Sequence, residues 1–226
     1  MNSTAKQFVF VVSTQGSVMD ATLESAFLRG KVHSVVADRE CGAIQKARDR
    51  GVPIVLFDEP EAEAFSQKLS IYMAEHGLEW VISFYTNFYS EAFRVEYCDR
   101  IINFHPSLLP AFKGMDGFGD GIAYHVKLIG TTVELIKDVM DEGKIVLQTV
   151  TPVDPDSRAE QLRHRIFVQQ CKSLIQVVKW ISENRLTVNG DVVTIERATF
   201  GDLEFSPALD FKEAQNLNVP LLSHAH

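Results

Sequence analysis

The amino-acid sequence predicts an α/β fold: a doubly wound, mostly parallel sheet with helices on both faces and a C-terminal β-hairpin. Three observations carry that expectation. Apolar runs alternate with stretches of helical period along the first hundred residues, the pattern of repeated strand-helix units. The first of these runs is continuously apolar rather than alternating, as expected of a strand covered on both faces. Late in the chain, Asn189-Gly190 separates two alternating β-rich segments, a strong hairpin-turn signal.

The elements follow in order. Residues 7–12, QFVFVV, form an apolar strand after Gln7, then STQGS turns the chain and VMDATLESAFLRG carries a helical period. The cycle repeats with HSVVAD (33–38) before the helical CGAIQKARDRG, and with PIVLFD (53–58) before EPEAEAFSQKLSIYMAEHG. WVISF (80–84) is a fourth strand and residues 100–104 a fifth. GTTVELI (130–136) and KIVLQTVTPV (144–153) are two β-rich runs joined by KDVMDEG, a hairpin-like connection that contains Asp141. Residues 158–185 make one long amphipathic helix, and LTVNGDVVTIE makes the terminal hairpin. Residues 1–200 read as one domain and 201–226, with two prolines and weak periodicity, as an irregular tail. Neither an internal repeat nor a low-complexity linker interrupts this plan.

Composition narrows the function classes. A chain of 226 residues with 46% hydrophobic and 10% aromatic content can bury a substantial core. The formal charge of -8 offers no basic field for nucleic acid or an anionic membrane, although a local positive patch can still hold one anionic metabolite. Cys41, Cys98 and Cys171 are odd in number, widely spaced and without a CxxC pattern, which argues for reduced thiols and against a disulfide framework or a zinc site. No apolar run approaches the roughly 20 residues of a membrane span. The N-terminal MNSTAKQ leads into a strand with no signal-peptide layout, so a cytoplasmic protein with small-molecule partners, monomeric or homodimeric, is expected.

The chemistry-bearing stretch is IINFHPSLLPAFKG, residues 101–114. Side chains alternate along a strand, so Ile101, Asn103 and His105 share one face and the two polar groups point into the same space. They come where a parallel strand ends, and ligands in doubly wound sheets bind at the carboxyl ends of strands. For His105 taken alone, a hydrogen-bonded structural imidazole is an equal alternative.

The full pattern N-F-H-P-S-L-L-P, followed by G-T-T-V and then by D-E-G before the strand that carries Leu147-Gln148, resembles the folate-dependent formyltransferases. It is most similar to the branch that formylates glycinamide ribonucleotide. The resemblance spans roughly residues 7–190 and is densest over 101–150. It implies a Rossmann-like formyltransferase fold, 10-formyltetrahydrofolate as co-substrate, an amine as acceptor and no metal. It implies catalytic roles for Asn103, His105 and Asp141, and a phosphate-binding turn at Gly16, Ser17 and Val18, where a tight capped turn is an equal reading of the residues alone. The folate pocket it implies is formed by Tyr85, Thr86, Asn87, Phe88 and Tyr89 with Ile136, Val139 and Met140. It also implies a cis peptide at Leu109-Pro110.

Such a reaction passes through a tetrahedral species whose carbonyl oxygen becomes an oxyanion, so preorganised donors at that oxygen are the expected main contribution. The Asn103 amide donates without titrating, and an imidazole can donate or shuttle a proton near neutral pH. For Asp141, without the resemblance, a turn carboxylate is the preferred reading.

Several positions depart from the family pattern. The turn S-T-Q-G-S-V has Val18 where the family has Asn, Asn87 replaces an Arg, Glu134 replaces a His, and Gln170 stands where an acidic residue meets the substrate ribose. The segment MDGFGDGIA carries more glycine than an ordered helix start tolerates, at roughly 1 kcal/mol each relative to Ala inside a helix, and residues 114–121 are expected to be mobile. The reaction type is thus better supported than the acceptor. Glycinamide ribonucleotide in purine synthesis is the first choice. The alternatives are another amine, such as an amino sugar nucleotide, hydrolysis of 10-formyltetrahydrofolate, and an inactive folate-binding homologue.

Overall fold

A computed structural model describes residues 7–220. The first six residues of the N-terminal stretch and the last six of the tail lie outside the described residues. The sheet is mixed and mostly parallel, with eight strands in the order β10-β7-β6-β5-β4-β1-β2-β3, and a separate hairpin pairs β8 with β9. The expected fold class is therefore the one found.

The chain divides into two compact units, one ending at Asn103 and completed by Leu135–Gly143, the other comprising Phe104–Glu134 and the residues from Lys144 onward. In the first unit, β1 (Phe8–Val12) is buried at every position and pairs in parallel with β2 (Val32–Ala37) and β4 (Trp80–Phe84). β3 (Ile54–Leu56) extends β2, and β5 (Ile101–His105) extends β4 through residues 101–103, again in parallel. Val9 and Val11, alternate residues of β1, pack in one cluster with Phe65, Leu69 and Met73. Those three lie four residues apart on α4 (Ala62–His76), which is why one stripe of that helix is buried.

The helix expected over residues 18–30 is two short helices, α1 (Ser17–Thr22) and α2 (Ala26–Lys31). Side chains cause the break. The Thr22 hydroxyl donates back to the Val18 carbonyl at 2.7 Å, and Ser25 Oγ accepts from the Leu28 N–H at 3.1 Å to cap a new helix. α3 (Gly42–Asp49) and α5 (Glu91–Glu96) complete this unit.

In the second unit, α6 (Gly117–Ala123) follows the proline-rich loop, β6 (Leu128–Leu135, through Glu134) neighbours β7 (Lys144–Pro152), and α7 (Ala159–Ser182) is the long helix. Phe118 of α6, Ile129 of β6, and Leu162 and Ile166 of α7 form its local core. β8 (Leu186–Asn189) and β9 (Val192–Ile195) make the predicted hairpin, with Gly190 at φ 58°.

One expectation needs correction here. The stretch read as an irregular tail contains β10 (Phe205–Ser206), which pairs antiparallel with β7, and α8 (Lys212–Gln215). Arg185 Nη2 holds Asp210 at 2.6 Å, and that carboxylate also accepts from Gln176 and Trp180. Within the glycine-rich segment α6 begins, capped by Asp116, whose Oδ1 accepts from the Gly119 N–H at 3.1 Å. Gly117 and Gly119 are sites of close approach, a function that propensity does not count.

Candidate active site

In the first unit, the carboxyl ends of β1, β4 and β5 carry most of the predicted site residues. The turn after β1 is shaped by packing. Gly16 caps α1 at φ 60° with no side-chain bond, and a Cβ there would lie 2.6 Å from that of Ala43. The cap is thus Gly16 and not Ser17. The carbonyls of the turn accept from one backbone and one side-chain donor: the Ala43 N–H donates to the Thr14 carbonyl at 3.1 Å and Lys46 Nζ to the Gln15 carbonyl at 2.8 Å. Ser17 is half-buried and Val18 buried.

The segment after β4 is tied to this turn, because the Thr86 N–H donates to Ser13 Oγ at 3.2 Å. Tyr85 stacks on Phe65, and burial pushes its hydroxyl pKa up, with Asn87 acting in the other direction. Tyr89 is a core residue, 1% exposed, with its hydroxyl 2.9 Å from Ser83 Oγ. Burial raises its pKa strongly, and its carbonyl accepts from Arg94, whose guanidinium also covers Phe88. Ser83 is in register with Asn103.

The segment beyond β6 belongs to the same unit. The Ile136 N–H donates to the Ile101 carbonyl at 3.0 Å, and Ile136 packs on the core. Val139 and Met140 are exposed, two apolar side chains together on a loop, and Asp141 is buried at φ 56°. So Gly16, Ser17, Val18, Tyr85 to Tyr89, Asn103, Ile136, Val139, Met140 and Asp141 all fall in one compact unit.

His105 belongs to the second unit, where its surroundings are made by hydrogen bonds from side chains to backbone. The imidazole is 5% exposed, and its Nε2 donates to the Phe112 carbonyl at 2.8 Å. A carbonyl only accepts, so the proton sits on Nε2. Gly117 closes over this bond: a Cβ there would lie 2.6 Å from the Phe112 oxygen and 2.7 Å from Nε2. The loop backbone is held from β6 and β7. Thr131 Oγ1 donates to the His105 carbonyl, and Thr132 Oγ1 donates to the Ser107 carbonyl while accepting from the Leu109 N–H. Gln148 Nε2 reaches both the Leu109 carbonyl, at 2.9 Å, and Thr132 Oγ1. Ser107 Oγ donates to the Ala111 carbonyl at 2.6 Å. The Leu109-Pro110 peptide is cis, as the resemblance implies.

Sequence reasoning missed the supporting residues Phe112, Gly117, Thr131 and Thr132. The signal for the last two was present, since hydroxyl side chains interrupting a buried strand require partners. Of the departing positions, Gln170 Nε2 lies 3.3 Å from Thr131 Oγ1, and Glu134 is buried on β6. Among the described residues no group of three or more His, Cys, Asp or Glu side chains is arranged to hold a metal, and no helix is long and apolar enough to cross a membrane.

The comparisons with known proteins converge on one family. The formyl transferase family model matches residues 6–178. Phosphoribosylglycinamide formyltransferase of Mycobacterium tuberculosis (strain ATCC 25618 / H37Rv) is 32% identical over 201 residues, which is 86% of this chain and 94% of that protein. The crystal structure of glycinamide ribonucleotide transformylase 1 from Symbiobacterium toebii superimposes with a TM-score of 0.78 at 28% identity, over 85% of this chain and 95% of that one. A formyltetrahydrofolate deformylase from Pseudomonas syringae pv. tomato shares the fold at 20% identity and a TM-score of 0.75, over 84% of this chain and 66% of that one.

Proposed function

The chain belongs to the formyl transferase family, and we propose that it transfers the formyl group of 10-formyltetrahydrofolate to the amine of glycinamide ribonucleotide in purine biosynthesis. The observation that carries this reading is the stretch Asn103–Pro110 within a chain that aligns over 86% of its length with a phosphoribosylglycinamide formyltransferase.

In this reading the acceptor amine attacks the formyl carbon, the bond from that carbon to N10 breaks, and the amine proton passes to N10. Asn103 donates from its amide to the developing oxyanion, the contribution expected to be largest in such a reaction. His105 donates to the same oxygen or moves the proton through Nδ1, the ring nitrogen not given to the Phe112 carbonyl, and Asp141 is assigned the third catalytic role. No covalent enzyme intermediate is needed, because holding both substrates at near-attack distance itself lowers the barrier by several kcal/mol. The turn Gly16-Ser17-Val18 holds the substrate phosphate through backbone N–H groups, so the change to Val18 leaves the donors in place. The exposed apolar side chains of Val139 and Met140 suit a flat ring with apolar faces, and with residues 85–89 and Ile136 they are assigned to the folate.

The deciding assay follows folate product from 10-formyltetrahydrofolate spectrophotometrically, with glycinamide ribonucleotide and without acceptor. Product that depends on the ribonucleotide is the expected result. Product without acceptor replaces the transferase by a hydrolase, and folate binding with turnover in neither mixture overturns the choice of acceptor.

A further inference from the structure

His105 and Gly117 lie against each other in the second unit, and the reason for a glycine there is space. His105 is the last residue of β5 and Gly117 the first of α6. The backbone of Gly117 stays out of the left-handed region, so conformational freedom does not demand a glycine. A Cβ at this position would lie 2.6 Å from the Phe112 carbonyl oxygen, 2.7 Å from His105 Nε2 and 3.1 Å from Ser107 Cβ. The two closest atoms are the acceptor and the donor of one hydrogen bond, 2.8 Å long. Neither is the end of a flexible side chain: one is main chain, and the other belongs to an imidazole that is 5% exposed.

The Phe112 carbonyl is itself held in an unusual direction. Phe112 adopts φ 53°, a left-handed conformation that a bulky residue rarely takes. Strain of this kind persists only where the surrounding structure imposes it. On one side the Ala111 carbonyl accepts from Ser107 Oγ at 2.6 Å, and the Ala111 N–H donates to the Leu108 carbonyl at 3.0 Å. On the other, the Phe112 ring meets the Tyr124 ring at the end of α6, with 5.9 Å between centroids.

We propose that Gly117 and Phe112 are positioning residues for formyl transfer: the Phe112 carbonyl keeps the proton of the neutral His105 imidazole on Nε2, and Gly117 supplies the space in which that bond forms. This rests on the role of His105 proposed above. A neutral imidazole carries its proton on either nitrogen, and the hydrogen bond the ring makes selects which. Fixed on Nε2 by the carbonyl, the ring presents Nδ1 as the nitrogen that takes up and releases a proton. An imidazole in the wrong tautomer keeps its place and loses its function, so the carbonyl and the glycine act on turnover rather than on substrate affinity.

The test is a long-range proton–nitrogen correlation spectrum of the isotope-labelled full chain, recorded where the imidazoles are neutral, with the His105 signals assigned by their loss in His105→Gln. The parent is expected to carry the His105 proton on Nε2. Gly117→Ala is expected to mix the two tautomers and to lower kcat for formyl transfer to glycinamide ribonucleotide about tenfold or more, with both KM values within about twofold of the parent. Gly121→Ala makes the same change further along α6, where a Cβ would come no closer than 3.7 Å to the Phe112 and Val126 side chains, and is expected to leave spectrum and kinetics unchanged. Phe112→Gly keeps the carbonyl and suits φ 53° but loses the ring contact with Tyr124, and it too is expected to mix the tautomers. That variant carries the test if Gly117→Ala does not fold. A proton on Nδ1 in the parent overturns the proposal, and so does a parent-like spectrum or an undiminished kcat in the variant. A parent chain that does not formylate the ribonucleotide defeats the proposed function instead, and the spectra then decide on the tautomer by themselves.

Discussion

The turn after β1 and the loop after β5 both leave the carboxyl end of a parallel strand, yet they are held by different means. The turn at residues 13–18 is shaped chiefly by backbone fit: a glycine at φ 60° faces Ala43 and the Ala43 N–H donates to the Thr14 carbonyl, with Lys46 and Ser13 adding one side-chain bond each. The loop at residues 105–117 is fixed by side chains, with Ser107, Thr131, Thr132 and Gln148 each donating to one of its carbonyls and His105 donating to another. A segment shaped by backbone fit leaves the identity of its side chains free. One shaped by side-chain bonds does not. Of the four departures from the family pattern, Val18 lies in the first segment, while Asn103 to Pro110 is kept intact at the second.

The largest effect that can break this contrast is catalytic. Asn103→Ala and His105→Ala are each expected to lower turnover by about a hundredfold or more with the fold retained, the usual consequence of losing one oxyanion donor, and His105→Ala also lowers the melting temperature because the Phe112 carbonyl loses its donor. Near-normal rates in either variant would remove the proposed mechanism. Next comes Thr132→Val, which leaves the buried Leu109 N–H and Ser107 carbonyl without their partner. A loss of about 1–3 kcal/mol is expected in urea denaturation, and a neutral result would mean that the loop is not held from β6.

In the turn, Gly16→Ala is expected to cost about 1–2 kcal/mol, because any side chain there adopts left-handed backbone and meets Ala43. If thermal melting shows no change, backbone fit is not what shapes the turn.

A third means of holding, by charge, supplies a smaller effect. Burial alone would raise the Asp210 carboxyl, but Arg185, Trp180 and Gln176 together bring it below the ordinary 3.8. A lowered folded-state pKa contributes stability above the unfolded value and loses it as the pH falls through the folded one. The stability difference between the parent chain and Asp210→Asn should therefore be present at pH 6 and shrink below about pH 4. A difference that grows on acidification contradicts the assignment.

The smallest effect sharpens the comparison. Ser17→Ala removes a hydroxyl that makes no cap bond and is expected to change stability by less than about 0.5 kcal/mol, with acceptor KM essentially unchanged. A large rise in KM would show that the turn recognises its ligand through a side chain after all.

Much of the fold was legible because its signals are local. The apolar run Phe8–Val12, the periodic stretch that became α4 and the Asn189-Gly190 turn each announce themselves within a few residues. The helix after β1 was misread for a different reason: Thr22 and Ser25 bond to nearby backbone and compete with the apolar period. At the candidate site, Asn103 and His105 were legible from strand alternation and placement, whereas Gly117 was not. Its neighbours, Phe112 and His105, lie five and twelve residues away in the chain, and a glycine judged by helix propensity alone looks like disorder.

The sequence by itself determined the α/β class, the order of the elements, the reactive stretch 101–110 and the reaction family, because apolar periodicity and a dense motif are properties of short segments. Only the tertiary structure decided that Gly16 and Gly117 are sites of contact rather than of freedom and that β10 joins the sheet beside β7. Each of these depends on atoms brought together from distant parts of the chain. Their distances follow from packing, and packing is settled by the whole chain at once.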